Sequence, residues 1–270
     1  MEANIVKHYL INPTWRCHSR CSYCWVEQTV RLRSELYAVT ERPFDDWVLA
    51  IQRDRPDVVD IAGGEPLLLD WIPDLIFACP ETYFGLSTNG LAWEQLNRIC
   101  VYKPHNLTSI NISYHPETAD RLPNYDKLWQ RAVERVQKAQ GKPHCNIVMA
   151  DGNVERSVAA IQWMEANGVK YELSPYERVN TLGQIMDQGL CCKGGVNHLT
   201  VAPDGTAWSC LTTLRSPFWE SLSVGNWLDD TIDLDRKPQP CYLNCVDYYV
   251  LPELHKAGDM WCIEAKPCEY

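Results

Sequence analysis

Along the first two thirds of the chain, short apolar or alternating runs are each followed by a stretch with apolar positions three and four apart. The pattern predicts strands at 8–13 (HYLINP), 57–62 (DVVDIA), 82–87, 107–114, 145–150 and 169–173. Between them it predicts helices at 43–53, 91–101, 125–140 and 154–167. The first helix opens on Pro43 followed by Asp45 and Asp46, where a fixed φ and the helix dipole favour those residues. Six β/α units predict an α/β fold with a parallel sheet and outer helices, and sites in such folds lie at the carboxyl ends of the strands. After Tyr176 the alternation stops, so a boundary near residue 180 divides a 1–180 unit from a 181–270 unit. In the second, 198–202 and 206–210 read as hairpin strands joined by Pro203-Asp204-Gly205, strong turn chemistry.

Composition narrows the function classes. A chain of 270 residues suits one large unit and one small one. No early stretch reads as a secretory signal, and no run approaches the eighteen or so apolar residues of a membrane helix. Thirteen cysteines in a long, regular chain without an export signal fit a reducing cytoplasm and metal-bound thiolates better than a disulfide framework. A net charge of −10 leaves no basic stripe for phosphates, which argues against nucleic acid as a partner. The eleven tryptophans are scattered and read as packing.

The candidate chemistry sits at the predicted strand ends. Cys17, Cys21 and Cys24, spaced Cx₃Cx₂C, follow the first strand. Three thiolates on one loop can hold three irons of a four-iron cubane and leave the fourth open, whereas four-cysteine zinc modules and ferredoxins leave no vacancy. By spacing alone, a zinc site completed by His18 or by a distant residue reads the same way. Gly63-Gly64-Glu65-Pro66 ends the second strand, Ser87-Thr88-Asn89-Gly90 the third, and Asn111 to His115 (NISYH) the fourth. Singly, each is explained by an ordinary turn or helix start. Together, such motifs at the same ends of successive parallel strands are hard to explain as packing. His115 is a candidate for the substrate pocket, or for capping the turn before Pro116. Cys79, Cys100 and Cys145 read as buried free thiols.

The cysteine loop, with Tyr23 before its last cysteine, and the GGEP motif resemble the radical S-adenosylmethionine (SAM) superfamily over roughly the first 180 residues. The resemblance implies a partial (β/α)₆, TIM-like barrel. It also implies a [4Fe–4S] cluster on Cys17, Cys21 and Cys24 whose open iron takes the amino and carboxylate groups of SAM. Carried over, Gly63 and Gly64, with Glu65 and Pro66 completing the motif, bind the methionine amine. Ser87, Asn89, Asn111 and Ser113 reach ribose and carboxylate, and Tyr23 sits near adenine. The sixth strand departs from the family, since 172–178 (ELSPYER) carries no firm motif.

In the tail, the spacing Cx₁₂Gx₄C from Cys192 through Gly205 to Cys210 resembles the opening of the SPASM and Twitch extensions, which hold auxiliary clusters. Cys241 and Cys245 supply a second pair, and the Cx₂Cx₅C run of a full SPASM tail is missing. The expectation is a small hairpin-and-helix, Twitch-like unit holding one auxiliary [4Fe–4S] cluster on Cys192, Cys210, Cys241 and Cys245. Cys191, Cys262 or Cys268 could replace one of these ligands, and a structural zinc is the alternative.

Three functions compete. The first is a radical SAM enzyme that oxidises or rearranges a small polar metabolite of amino-sugar or cyclitol type, using an external flavodoxin- or ferredoxin-like electron donor and passing an electron to the auxiliary cluster. The second is a peptide-modifying maturase making an epimer, thioether or carbon–carbon crosslink, with Cys191 a candidate hydrogen donor. The third is a non-catalytic iron–sulfur carrier or scaffold, which needs neither GGEP nor an open cluster.

Overall fold

The computed structural model describes residues 7–31, 33–140, 143–149, 154–175, 191–192, 198–209, 211, 214, 220, 222–233, 239–240, 251–257 and 260–266. Six strands, β1 (His8–Ile11), β2 (Val58–Ile61), β3 (Tyr83–Thr88), β4 (Leu107–Tyr114), β5 (His144–Met149) and β6 (Lys170–Pro175), pair in chain order, every pair parallel. Between β1 and β2 lie a π-helical turn (Val26–Val30), α1 (Ser34–Tyr37) and α2 (Phe44–Asp54). A 3₁₀ turn (Pro66–Leu68) and α3 (Ile72–Ala78) lead to β3, α4 (Trp93–Tyr102) leads to β4, α5 (Pro116–Arg121) and α6 (Tyr125–Gln140) to β5, and α7 (Val154–Ala166) to β6.

Periodicity explains the packing. On α2, Trp47, Ala50 and Ile51 are buried at spacings of three and four, and on α6, Trp129, Ala132, Val133 and Val136 repeat the pattern. They meet Tyr9, Ile11, Val59, Ile61, Phe84, Leu86, Ile110, Ile112, Cys145 and Ile147 from one face of the sheet. The other face carries the intervening residues, among them His8, Asp60, Ser109, Asn111 and Asn146. Parallel sheets covered on both faces read as continuous apolar runs; here the second face is polar, so it is available for chemistry rather than packing. Cys79, Cys100 and Cys145 are buried, as expected of structural thiols.

The expected hairpin forms from β8 (His198–Val201) and β9 (Thr206–Trp208), following a short β7 (Cys191–Cys192), and β10 (Ser223–Asn226) continues the meander. Gly205 takes φ +91° in its turn, and a Cβ there would meet Asn226 and Leu228. β8 pairs in parallel with β1, giving one sheet of order β10-β9-β8-β1-β2-β3-β4-β5-β6. Leu199, Val201, Ala207, Trp227 and Leu228 join the main core, so chain on both sides of residue 180 shares one sheet and one core. Two further pairs form, β7 with β11 (Gln239–Pro240) and β12 (Leu251–Ala257) with β13 (Met260–Lys266). Among the described residues, no helix is long and apolar enough to cross a membrane.

Candidate active site

The loop after β1 runs beside the loop after β2, and the two glycines make that possible. Gly64 N donates to Thr14 O at 2.9 Å and Glu65 N to Arg16 O at 2.8 Å. A Cβ on Gly64 would lie 2.2 Å from Arg16 O and 2.5 Å from Trp15 O, and one on Gly63, at φ +117°, 2.6 Å from Thr14 O. Only glycine allows that approach of backbone to backbone. Arg16 forks onto Glu41 through two hydrogen bonds of 2.8 Å, fixing the start of the cysteine loop.

Glu65 ties β2 to β3. Its carboxylate is fully buried and accepts from Thr88 Oγ1 at 2.7 Å, Asn89 N at 2.7 Å and Leu67 N at 3.1 Å. Burial pushes it up to about 7 even though the three donors pull the other way. Asn89 extends the brace to the cysteine loop, its Nδ2 donating to Ser19 Oγ at 3.1 Å and lying 3.9 Å from Cys17 Sγ. From the far side, α5 holds the same loop: Glu117 accepts from Ser22 N at 2.6 Å, and Arg121 donates to Ser19 O.

These contacts surround a cavity of about 350 Å³ at the carboxyl ends of the strands, a volume suited to a small-molecule site. Cys17, Cys21, Tyr23, Cys24, Gly63, Gly64, Glu65, Ser87, Asn89, Ser113 and His115 all line it. Tyr23 stacks on His115, with ring centroids 6.1 Å apart and its hydroxyl 3.1 Å from Nδ1. Burial, with His18 nearby, lowers His115 to about 4, so its ring is neutral at physiological pH.

Two expected site residues stand apart. Pro66 is buried in the 3₁₀ turn, and Asn111 lies outside the lining, its Oδ1 buried without a hydrogen-bond partner. Asn146 and Val148 of β5 line the cavity, although no motif marks them in the sequence. Strand alternation carries their signal, because in register with β4 they occupy the face that holds Ser113. Thr88 stands in the third strand-end motif but its role there, like Ser19 and Thr118 altogether, escapes the sequence, since their contacts are with residues distant in sequence. Of the tail cysteines, Cys191 and Cys192 form β7 and Cys262 lies in β13. Cys210, Cys241, Cys245 and Cys268 lie outside the described residues.

The donor set fits an iron–sulfur cluster. The three loop thiols face one cavity, and Cys21 feels the charges of Cys17 and Cys24. Ser19 N donates to Cys17 Sγ at 3.4 Å, and Thr118 Oγ1 lies 3.6 Å from Cys21 Sγ, donors of the kind that tune ligating sulfurs. Among the described residues no group of three or more His, Cys, Asp or Glu side chains is placed to hold a single metal ion. Burial raises all three thiols, Cys21 to about 11, so cluster binding must displace protons.

Fold and site together define an α/β protein with a thiol-lined cavity at the carboxyl edge of a parallel sheet. The family model described as the radical SAM superfamily matches residues 11–171, and the chain belongs to that superfamily and is an enzyme of it. Membership implies a [4Fe–4S] cluster and SAM. Among curated relatives, GTP 3',8-cyclase of Aliarcobacter butzleri (strain RM4018) is 27% identical over 173 residues, 58% of this chain and 50% of that protein. GTP 3',8-cyclase of Peptoclostridium acidaminophilum is 25% identical over 142 residues, 50% of this chain and 43% of that protein. The chain thus spans at most about half the length of these relatives. A solved structure of histidine-tagged anSMEcpe with bound AdoMet superposes with a TM-score of 0.58 at 14% identity, covering 83% of this chain and 75% of that one, a likeness of fold.

Proposed function

We propose that the chain cleaves SAM reductively at this cavity and acts on a small polar metabolite of amino-sugar or cyclitol type. The observation that carries the reading is one cavity lined by the three thiols, the glycine pair and the polar strand-end residues. Cys17, Cys21 and Cys24 hold the cluster in this reading. The backbone at Gly63 and Gly64 receives the methionine amine, Ser87, Asn89 and Ser113, which line the cavity, serve ribose and carboxylate, and Tyr23 lies near adenine. When bound, the cluster and SAM supply a one-electron cleavage that yields methionine and a hydrogen-abstracting 5′-deoxyadenosyl radical. The protein's part is to orient the reactants and exclude water and oxygen. Neutral His115, held against Tyr23, presents an uncharged wall to them. The six parallel strands curve into a partial barrel in this reading, and an external one-electron donor reduces the cluster.

Residues 181–270 would form a Twitch-like unit with one auxiliary cluster on Cys192, Cys210, Cys241 and Cys245. The pairing of Cys192 with Gln239 and of Cys191 with Pro240 supports this, because Cys241 is the next residue in the chain. A second substrate reading, a nucleotide, is favoured by the names of the GTP 3',8-cyclase relatives.

The test is anaerobic reconstitution with iron and sulfide counted, then dithionite and SAM, with chromatography for 5′-deoxyadenosine. Iron near two cubanes and released deoxyadenosine are expected. Cys21→Ala should abolish the release; release persisting in that variant would overturn the mechanism. Product profiles with amino sugars and with GTP separate the two substrate readings.

A further inference from the structure

Beneath the cavity, the same face of the sheet carries a second polar row that no part of the cofactor reading uses. Strand register places Thr200, Leu10, Asp60, Gly85 and Ser109 side by side across β8, β1, β2, β3 and β4. Ser87 of the cavity wall stands two residues above Gly85, about 7 Å along the strand. Asp60 is held from one side only: its Oδ2 lies 2.6 Å from His8 Nε2, and His8 is packed edge-on against His198 at 5.5 Å. The other oxygen, Oδ1, lies over Gly85, where an added Cβ would come within 2.1 Å of it and 3.1 Å of Ser109 Oγ. The absence of a side chain at 85 is therefore what lets Asp60 and Ser109 approach each other.

The unused atoms in this region share one character. Asp60 Oδ1 and Ser109 Oγ take no hydrogen bond among the described residues, and Asn111 Oδ1 and Thr200 Oγ1 are buried and unpartnered. All four are oxygens able to accept, two of them hydroxyls that can also donate, and one belongs to a carboxylate. Asp60 is 45% exposed, so a ligand can reach it, and Asn111 stands in register with Ser87 of the cavity wall. Lys170 lies at the far edge of the sheet on β6. An acceptor-rich row ending in a carboxylate calls for a ligand that donates, and an ammonium donates most strongly.

We propose that Asp60, fixed by His8 and seated over Gly85 beside Ser109, binds a protonated amine of the substrate beneath the cavity. The inference rests on the reading that a small polar substrate is handled there, and it assigns that substrate a cationic nitrogen. Asp60 is thus a binding residue, and His8 and Gly85 are positioning residues acting through it.

The test is isothermal titration calorimetry on the reconstituted, SAM-loaded full chain under anaerobic conditions, with D-glucosamine, N-acetyl-D-glucosamine and D-glucose as probes. D-Glucosamine should bind at least about tenfold more tightly than the two uncharged sugars, as a charge-assisted hydrogen bond implies. Asp60→Asn and Gly85→Ala should each bring that ratio close to one, with iron content and melting temperature confirming that the variants fold. Equal affinities, no heat with D-glucosamine, or a ratio that survives Asp60→Asn would overturn the proposal. Failure of the wild type to release 5′-deoxyadenosine strikes the functional reading instead. Release without discrimination among the sugars strikes only the amine subsite.

Discussion

β2 and its loop carry two carboxylates with opposite surroundings. Glu65 is buried beside the cavity, and three donors from two neighbouring segments occupy its oxygens. Asp60 is half exposed, is met by His8 on one oxygen, and leaves the other over a glycine. The first has its hydrogen-bonding capacity consumed by the protein and acts as a strut between β2 and β3. The second keeps capacity in reserve. Within a site, the polar residue whose partners are all internal builds the frame, and the one with an idle atom is free to meet a ligand.

The glycines beside them differ in the same way, and the largest effect is expected there. Gly64→Ala would drive a Cβ into the Trp15 and Arg16 carbonyls, and backbone cannot step aside as a side chain can. A loss of about 3 kcal/mol in urea unfolding is expected, at the upper end for overpacking, together with reduced iron after reconstitution. Wild-type stability and full iron in Gly64→Ala would show that the two loops are not locked together.

Next in size is the pH dependence that Glu65 imposes. Its folded value of about 7 lies above the ordinary carboxylate range, so the native state holds this proton more tightly than the unfolded chain. The resulting stability is fully present below the ordinary glutamate value and is lost as pH rises through about 7. Across that window the loss is on the order of 3 kcal/mol. Glu65→Gln removes this slope but turns an amide N–H₂ toward a donor, Asn89 N or the pair on Oε1, costing about 1–3 kcal/mol at low pH. The gap between wild type and variant should therefore narrow from about pH 5 to pH 8 in urea melts; a constant gap would mean that Glu65 is ionised throughout.

How much of this was legible in the sequence follows from the range of each interaction. β4 and α6 fall at their expected bounds, because alternation and the three-and-four repeat are local signals. α5 carries the polar run PETADR and α3 an apolar run broken by Pro73, so neither shows a helical period, and both were missed. Of the candidate site residues in the first 180 positions, all but Asn111 and Pro66 line one cavity. What spacing could not convey is why they are there. The brace from Asn89 to Ser19 spans 70 positions, and β8 joins β1 across a still longer stretch of chain. The glycine pair signals a turn in the sequence, whereas in the fold it also admits two carbonyls at close range. For the tail, four of the seven cysteines lie outside the described residues, so its ligand set rests on spacing and on the β7–β11 pairing.

The smallest stability effect is expected at Gly85, and it sharpens the contrast with Gly64 most. Both glycines would place a new Cβ within 2.2 Å of an oxygen, but at Gly85 that oxygen is the far end of the Asp60 side chain. Asp60 can rotate toward solvent, since it is already 45% exposed, and an alanine inside a strand gains about 0.4–1 kcal/mol by restricting the unfolded chain. The opposing cost is one hydrogen bond to His8, about 1 kcal/mol for a partly exposed pair. Gly85→Ala should therefore unfold within about 1 kcal/mol of wild type, while the His8 ring signals in a nitrogen-15 spectrum shift as the carboxylate leaves. If the variant is instead as unstable as Gly64→Ala, the Asp60 side chain is not free to move, and this row belongs to the frame rather than to a ligand.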